Sequence, residues 1–335
     1  MSIFAKRHWF LLSLGAVLLV GMAFPQACEE LAFAIPKNWV IALVLLLMAL
    51  PLRTDAMWNT VRRPGPAFLA VTINAVVVPL LAWLLSRFLS EELAIGLVIA
   101  SAVPCTIASA TVWTRLAGGN EAISLVVTVV TNLACFLVTP AWVWLILGHV
   151  SKTESFSTMA GQLLLIVVLP IAVAQLLRRI PGVAEFSAAR KPLLNIIAQA
   201  GLLSIVFLGA VHSGLQLAGL QAQLAVVMGQ LAWMIVLVAV VHLAAWCLGY
   251  CGGESLGFSK ADSLAVAFAG SQKTLMVGLA IALEFGGLAV LPMVAYHVEQ
   301  LLIDTFLAGR YRISNLPGEP GRGVPTFEHV GEQDL

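Results

Sequence analysis

Charge is scarce in this chain, and so is tyrosine. Only 10% of the residues are Asp, Glu, Lys or Arg and three are Tyr, whereas soluble domains carry about 25% charged residues. With 60% hydrophobic residues and a mean hydropathy of +0.98, that shortage excludes a water-soluble globular domain and leaves a polytopic membrane protein. A net charge of +1 gives no basic surface for nucleic acid, so the bilayer is the expected environment. The five cysteines, Cys28, Cys105, Cys135, Cys247 and Cys251, are odd in number and mostly sit in apolar segments. They point to neither a disulfide framework nor a zinc site; Cys247 and Cys251 share a helix face by i, i+4 spacing but lack histidine neighbours, so packing is their expected role. Nucleophile motifs and nucleotide-binding loops are also missing. The chain therefore reads as a non-enzyme without an organic cofactor.

What is present is a series of apolar runs long enough to cross about 30 Å of hydrocarbon. Ten are expected, near 8–24, 38–52, 66–86, 93–116, 122–147, 159–177, 193–212, 222–249, 263–283 and 288–309. Helix breakers punctuate the joints, among them Pro25, Pro51, Pro64-Gly65-Pro66, Gly118-Gly119, Pro181 and Gly286-Gly287. Lys6 and Arg7 ahead of the first run, with small residues near Ala27, also fit a cleaved signal peptide. If that run is retained, fourteen of the 18 basic residues fall in joints on one side, and three (Lys37, Arg87, Lys152) on the other. The positive-inside rule then places both termini in the cytoplasm of a plasma-membrane protein. Ten spans divide into five and five, the geometry of an inverted repeat, giving a first unit over 1–150, a second over 151–312 and a flexible polar tail over 313–335. The expected fold is an all-α bundle of ten transmembrane helices.

Two of the ten runs carry polar interruptions at mid-membrane. The fourth contains Ser101-Ala102-Val103-Pro104-Cys105-Thr106-Ile107-Ala108-Ser109-Ala110-Thr111, and the ninth contains Gly270-Ser271-Gln272-Lys273-Thr274. Proline withholds an N–H and frees a carbonyl, while Ser, Thr and Gln can satisfy exposed backbone or hold an ion. Broken helices in corresponding positions of two repeats mark a transporter's binding site. Taken singly, Pro104 also fits a mere kink, and Ser109, Thr111, Ser124 and Thr128 also fit bonds back to their own helices.

Lys273 lies about ten residues from either end of its run, too deep to reach water by snorkelling. A charge at that depth costs roughly 2.5–3.5 kcal/mol on insertion scales, so a function or a partner is expected. Candidate charge partners stand in the tenth run: His297, Gln300 and Asp304 share a face, and Glu299 lies about 16 Å before Arg310 at 1.5 Å per residue. A pair between Lys273 and one of these carboxylates would be a strut or a protonation switch.

These residues resemble the bile acid:sodium symporter superfamily over the whole chain. The resemblance is carried by Pro104 to Asn120 ending Arg115-Leu116-Ala117-Gly118-Gly119-Asn120, by Ser124 and Thr128, by Pro79-Leu80-Leu81-Ala82-Trp83, by Gly270-Ser271-Gln272-Lys273-Thr274 and by Tyr296-His297. It is closest to the branch holding the vertebrate seventh member of solute carrier family 10. It implies a panel domain and a core domain, the core containing crossed, discontinuous fourth and ninth helices with sodium sites behind the crossing. By the same resemblance Asn74 matches a glutamine ligand of the second sodium site, Ser124 and Thr128 match hydroxyl ligands of the first, and Gln272 matches the ninth-helix glutamine. Ser109, Ala110 and Thr111 cover a Ser-Asn pair whose asparagine is missing in either register.

The chain departs from the family most in charge. Sodium-coupled members carry Glu-x-Gly-x-Gln-Asn where this sequence has Phe268-Ala269-Gly270-Ser271-Gln272-Lys273. A hard cation favours oxygen ligands, a carboxylate above all, so Phe268 weakens the case for ordinary sodium sites, and Lys273 is expected to stand in for one coupling cation. The resulting expectation is a symporter of a small organic anion, coupled to sodium as in the family or to protons, with Asn74, Pro104, Thr106, Ser109, Thr111, Ser124, Thr128, Ser271, Gln272, Lys273 and Thr274 as its ion- or substrate-binding residues. The alternative, suggested by the branch's association with calcium homeostasis, is a regulatory membrane protein that transports nothing.

Overall fold

The computed structural model describes residues 9–52, 64–148, 155–220 and 224–314. Within them the chain is all-helical, and a helix occupies each of the ten expected apolar segments. In order these are α1 (Trp9–Ala23), α2 (Pro25–Phe33), α3 (Lys37–Ala49), α4 (Gly65–Ser86), α5 (Glu91–Ala102), α6 (Ser109–Leu116), α7 (Glu121–Leu147), α8 (Phe156–Leu177), α9 (Pro181–Ala189), α10 (Lys191–Gly219), α11 (Leu224–Ser255), α12 (Lys260–Ser271), α13 (Leu275–Ala282) and α14 (Gly287–Ser314). Six helices are long and apolar enough to cross a membrane, or seven if the bent pair α1 and α2 counts as one span. The signal-peptide residues Lys6 and Arg7 and the tail beyond Ser314 lie outside the described residues.

Two helices were not anticipated. Pro25 starts α2 at a bend of 111° from α1; proline tolerates the first helical turn, where its N–H would be unpaired in any case. Ala32 of α2 then packs against Leu208 and Val211 of α10. Helix α9 begins in the same way at Pro181. Of the cysteines expected to pack, Cys105 and Cys135 are buried, but Cys247 and Cys251 are exposed on the outer face of α11.

The helices pack in two groups that join where α10 meets α14 and where α7 meets α8. In one, α10 lies against α1, α2 and α3, and α3 lies against α8; in the other, α12 lies among α11, α4, α7 and α6, while α14 lies along α5 and α11. Close approach of α5 and α14 depends on Gly96, where a Cβ would collide with the Ala289 carbonyl. Burial is most complete at α12 and α13, where every residue of a membrane-length window is inside the protein. The joint after α6 turns at Gly118, whose φ of 79° lies in the left-handed region. Asn120 fixes that joint to α12: its N–H donates to the Ala261 carbonyl at 2.9 Å and its side chain to Asp262 at 2.8 Å.

Candidate functional site

The two interruptions meet. Helix α5 ends at Ala102 and α6 begins at Ser109, while α12 ends at Ser271 and α13 begins at Leu275. Between them the chain is extended, with Val103 at φ −75°, ψ 159° and Gln272 at φ −75°, ψ 144°. Extended backbone cannot satisfy itself, so each freed group needs a partner. The Thr274 N–H donates to the Pro104 carbonyl at 2.9 Å, bonding one break directly to the other. Thr106 Oγ1 donates to Gln272 Oε1 at 2.6 Å, and Ser109 Oγ lies 2.8 Å from both of those oxygens.

Each break is also held by a neighbouring helix. On the fourth-helix side, α7 presents a polar stripe: Asn132 Nδ2 donates to the Cys105 and Thr128 carbonyls at 2.8 Å each, Thr131 Oγ1 accepts the Cys105 N–H at 3.2 Å, Thr139 donates to Ala102 O at 2.9 Å and Thr128 to Thr106 O at 3.1 Å. On the ninth-helix side α14 does the same work. Gln300 clasps Lys273, accepting its N–H at 2.9 Å and donating to its carbonyl at 3.0 Å, and the Tyr296 hydroxyl donates to Ser271 O at 2.8 Å.

Lys273 points across the crossing and meets no acid among the described residues. Its side chain is fully buried, and Nζ donates to Asn74 O at 2.5 Å, Val103 O at 3.0 Å and Asn74 Oδ1 at 3.3 Å. Asn74 lies in a wide π turn of α4, Ile73–Val77, where the Val78 N–H reaches back five residues to Ile73 O. In that register the next donor would be residue 79, a proline without an N–H. The Asn74 carbonyl is therefore orphaned by sequence, and the ammonium fills the gap. Its neighbour Ala75 O receives the Trp142 indole N–H at 2.7 Å.

The expected pairing of Lys273 with Glu299, Asp304 or His297 is corrected by this geometry. Asp304 Oδ1 lies 3.0 Å from His242 Nε2, and Oδ2 accepts from Gln272 Nε2 at 2.6 Å. His297 bonds Gln300 at 3.0 Å. The Glu299 carboxyl oxygens are enclosed and have no hydrogen-bond partner. Lys273, just past the end of α12, turns instead toward α4. His242, missed in the sequence, has both ring nitrogens facing oxygens, Asp304 and the Ser271 carbonyl at 3.4 Å. Its signal was available, since an ionisable side chain within an apolar span is itself a functional indication.

The residues that the family resemblance assigns to sodium mostly bond to one another or to backbone in this structure. Ser124 is bonded to Thr114 at 2.6 Å and Thr128 to backbone, while the Thr111 hydroxyl oxygen is enclosed and unpartnered. Phe268, at the glutamate's position, is buried among Trp113, Ala117, Trp246, Leu264 and Ala308. At the second set, Asn74 Nδ2 faces the Gln272, Gly270 and Ala269 carbonyls at 2.9, 3.3 and 3.4 Å, and its oxygens face the ammonium. No group of three or more His, Cys, Asp or Glu that could hold a metal occurs among the described residues.

Two interrupted helices bonded at their breaks, deep in an apolar bundle, define a multi-pass integral membrane protein organised around a helix crossing. The chain belongs to the SBF-like CPA transporter family, whose model matches residues 8–313. It is 30% identical to the probable sodium/metabolite cotransporter BASS4, chloroplastic, of Arabidopsis thaliana over 91% of this chain and 72% of that one. It is 25% identical to sodium/bile acid cotransporter 7 of Danio rerio over 90% of this chain and 93% of that one. An uncharacterized protein of Pseudomonas aeruginosa is 29% identical, over 90% and 92%. The family and these named relatives point to a transporter of that family.

Proposed function

We propose that the protein is a secondary active transporter of a small organic anion, of the symport type, in the plasma membrane with both termini cytoplasmic. Its ten spans form two inverted five-helix units, over 1–150 and 151–312. The group built on α10 acts as a panel against which the group containing the crossing moves. The observation that carries the reading is the bonding of the two breaks to each other, which makes the crossing one rigid polar unit inside an apolar group. Helix α13 starts at that unit without a side-chain cap, α6 starts there with the Thr106 hydroxyl accepting the Ala110 N–H at 3.0 Å, and helix N-termini favour negative groups. Ala108 is exposed and Ser109 and Thr111 are half-buried, so the α6 terminus offers the accessible face for an anion. The uncharged, already bonded state of the residues matched to sodium sites favours proton-linked over sodium-linked coupling.

Purified protein in proteoliposomes tests this. Taurocholate and short-chain carboxylates should accumulate when an inward proton gradient is imposed, with sodium and choline media giving equal uptake. Uptake of none of these anions by folded, oriented protein would overturn the assignment in favour of a regulatory protein, and strict sodium dependence would overturn the coupling.

A further inference from the structure

A buried cation normally faces a carboxylate; this one faces three uncharged oxygens. Among the described residues no acidic side chain lies within ion-pair distance of Lys273, and its three acceptors match the three donors of an ammonium. Each oxygen is available for a reason independent of the lysine. Pro79 denies Asn74 O its helical donor. Val103 lies past the last turn of α5, where carbonyls have no partner within the helix. Asn74 Oδ1 is aimed because its amide nitrogen is occupied by the Gln272 and Gly270 carbonyls. The C-terminal ends of α5 and α12 both converge here, adding the negative ends of two helix dipoles. The cage oxygens thus come from two separate segments, the wide turn of α4 and the end of α5, and would survive loss of the lysine side chain.

We propose that this cage is a monovalent-cation site whose resident cation is Lys273 itself, covalently tethered, so that the native protein binds no free sodium there and the emptied cage takes a small monovalent cation or a primary alkylammonium. The inference concerns the cage alone and holds whatever the transported substrate is. Carbonyl and amide oxygens are the ligands a hard cation prefers, and the only charge they receive in the native protein arrives on a side chain that cannot leave.

Thermal unfolding of the full-length protein in detergent, at matched ionic strength, tests the proposal without a transported substrate. Wild type should unfold at the same temperature in sodium and choline chloride. Lys273→Ala removes a fragment equivalent to propylammonium; its midpoint should fall by roughly 5–10 °C and recover saturably in propylammonium chloride, and in part in sodium chloride, but not in choline chloride. Lys273→Met, which fills the volume without charge, should recover in none of these. A saturable rise of the wild-type midpoint with sodium would overturn the proposal, as would a folded alanine variant indifferent to both cations or a methionine variant rescued as well as the alanine one. If the alanine variant cannot be purified, titration calorimetry of wild type with sodium decides: no binding supports the tethered cation and saturable binding refutes it.

Discussion

The two breaks that meet at the crossing are built to different specifications. The fourth-helix break runs over six residues, 103–108, and α7 holds it with hydroxyls and one amide, all neutral and each replaceable by a neighbour. The ninth-helix break is three residues, 272–274, yet it engages an ammonium, a His242–Asp304 pair, a two-bond clasp from Gln300 and the Tyr296 hydroxyl. A short break leaves fewer backbone groups to satisfy, so the density of polar side chains there exceeds what repair of the backbone requires. The longer break is the one that reaches the surface, with Ala108 exposed and Ser109 half-buried.

Substitutions can break or sharpen this contrast. The largest effect is expected from His242→Ala, which leaves the fully buried Asp304 carboxylate with only its bond from Gln272 among the described residues; removing one partner of a buried pair costs about 3–5 kcal/mol, to be read by chemical denaturation in detergent. Gln300→Leu leaves the Lys273 N–H and carbonyl unpaired in the interior, and at about 1–3 kcal/mol for each such group it should cost about 2–6 kcal/mol in the same assay. Asn132→Ala removes the amide that bridges two carbonyls of the fourth break, and hydroxyl neighbours remain to compensate, so about 1–2 kcal/mol is expected. An equal or greater loss for Asn132→Ala than for Gln300→Leu would erase the distinction between the breaks. The smallest effect belongs to the exposed pair of Lys37 with Glu284 at the bundle's edge: Lys37→Ala should change stability by about 0–1 kcal/mol, and any such change should fade in high salt.

Much of the fold was legible because a bilayer imposes lengths and forbids unpaired backbone. Apolar runs located every long helix, and Pro104 and the Gly270 to Thr274 stretch located both interruptions. The bend at Pro25 was visible as a breaker but not as the start of another helix, since nine residues with two glutamates do not read as a span. At the site, the depth of Lys273 could be counted, but its target could not: Asn74 is 199 residues away in sequence, and which side of a helix faces which neighbour is set by packing. The polar stripe Ser124, Thr128, Thr131 and Thr139 on α7 follows helical spacing and could have been extended from the first two. His242 was overlooked because the run around it is otherwise uniformly apolar.

The missing amide hydrogen of Pro79 has a consequence for biogenesis. The carbonyl of Asn74 enters the membrane with the first half of the chain, and its donor is synthesised 199 residues later, roughly 10–40 s at about 5–20 residues per second. Through that interval α4 carries an unfilled acceptor at its wide turn, and the early half of the chain cannot reach its final hydrogen-bonded state alone. Completion of the early half therefore waits on the late one, which makes the union of the two halves an obligatory last step of assembly rather than a docking of two finished parts.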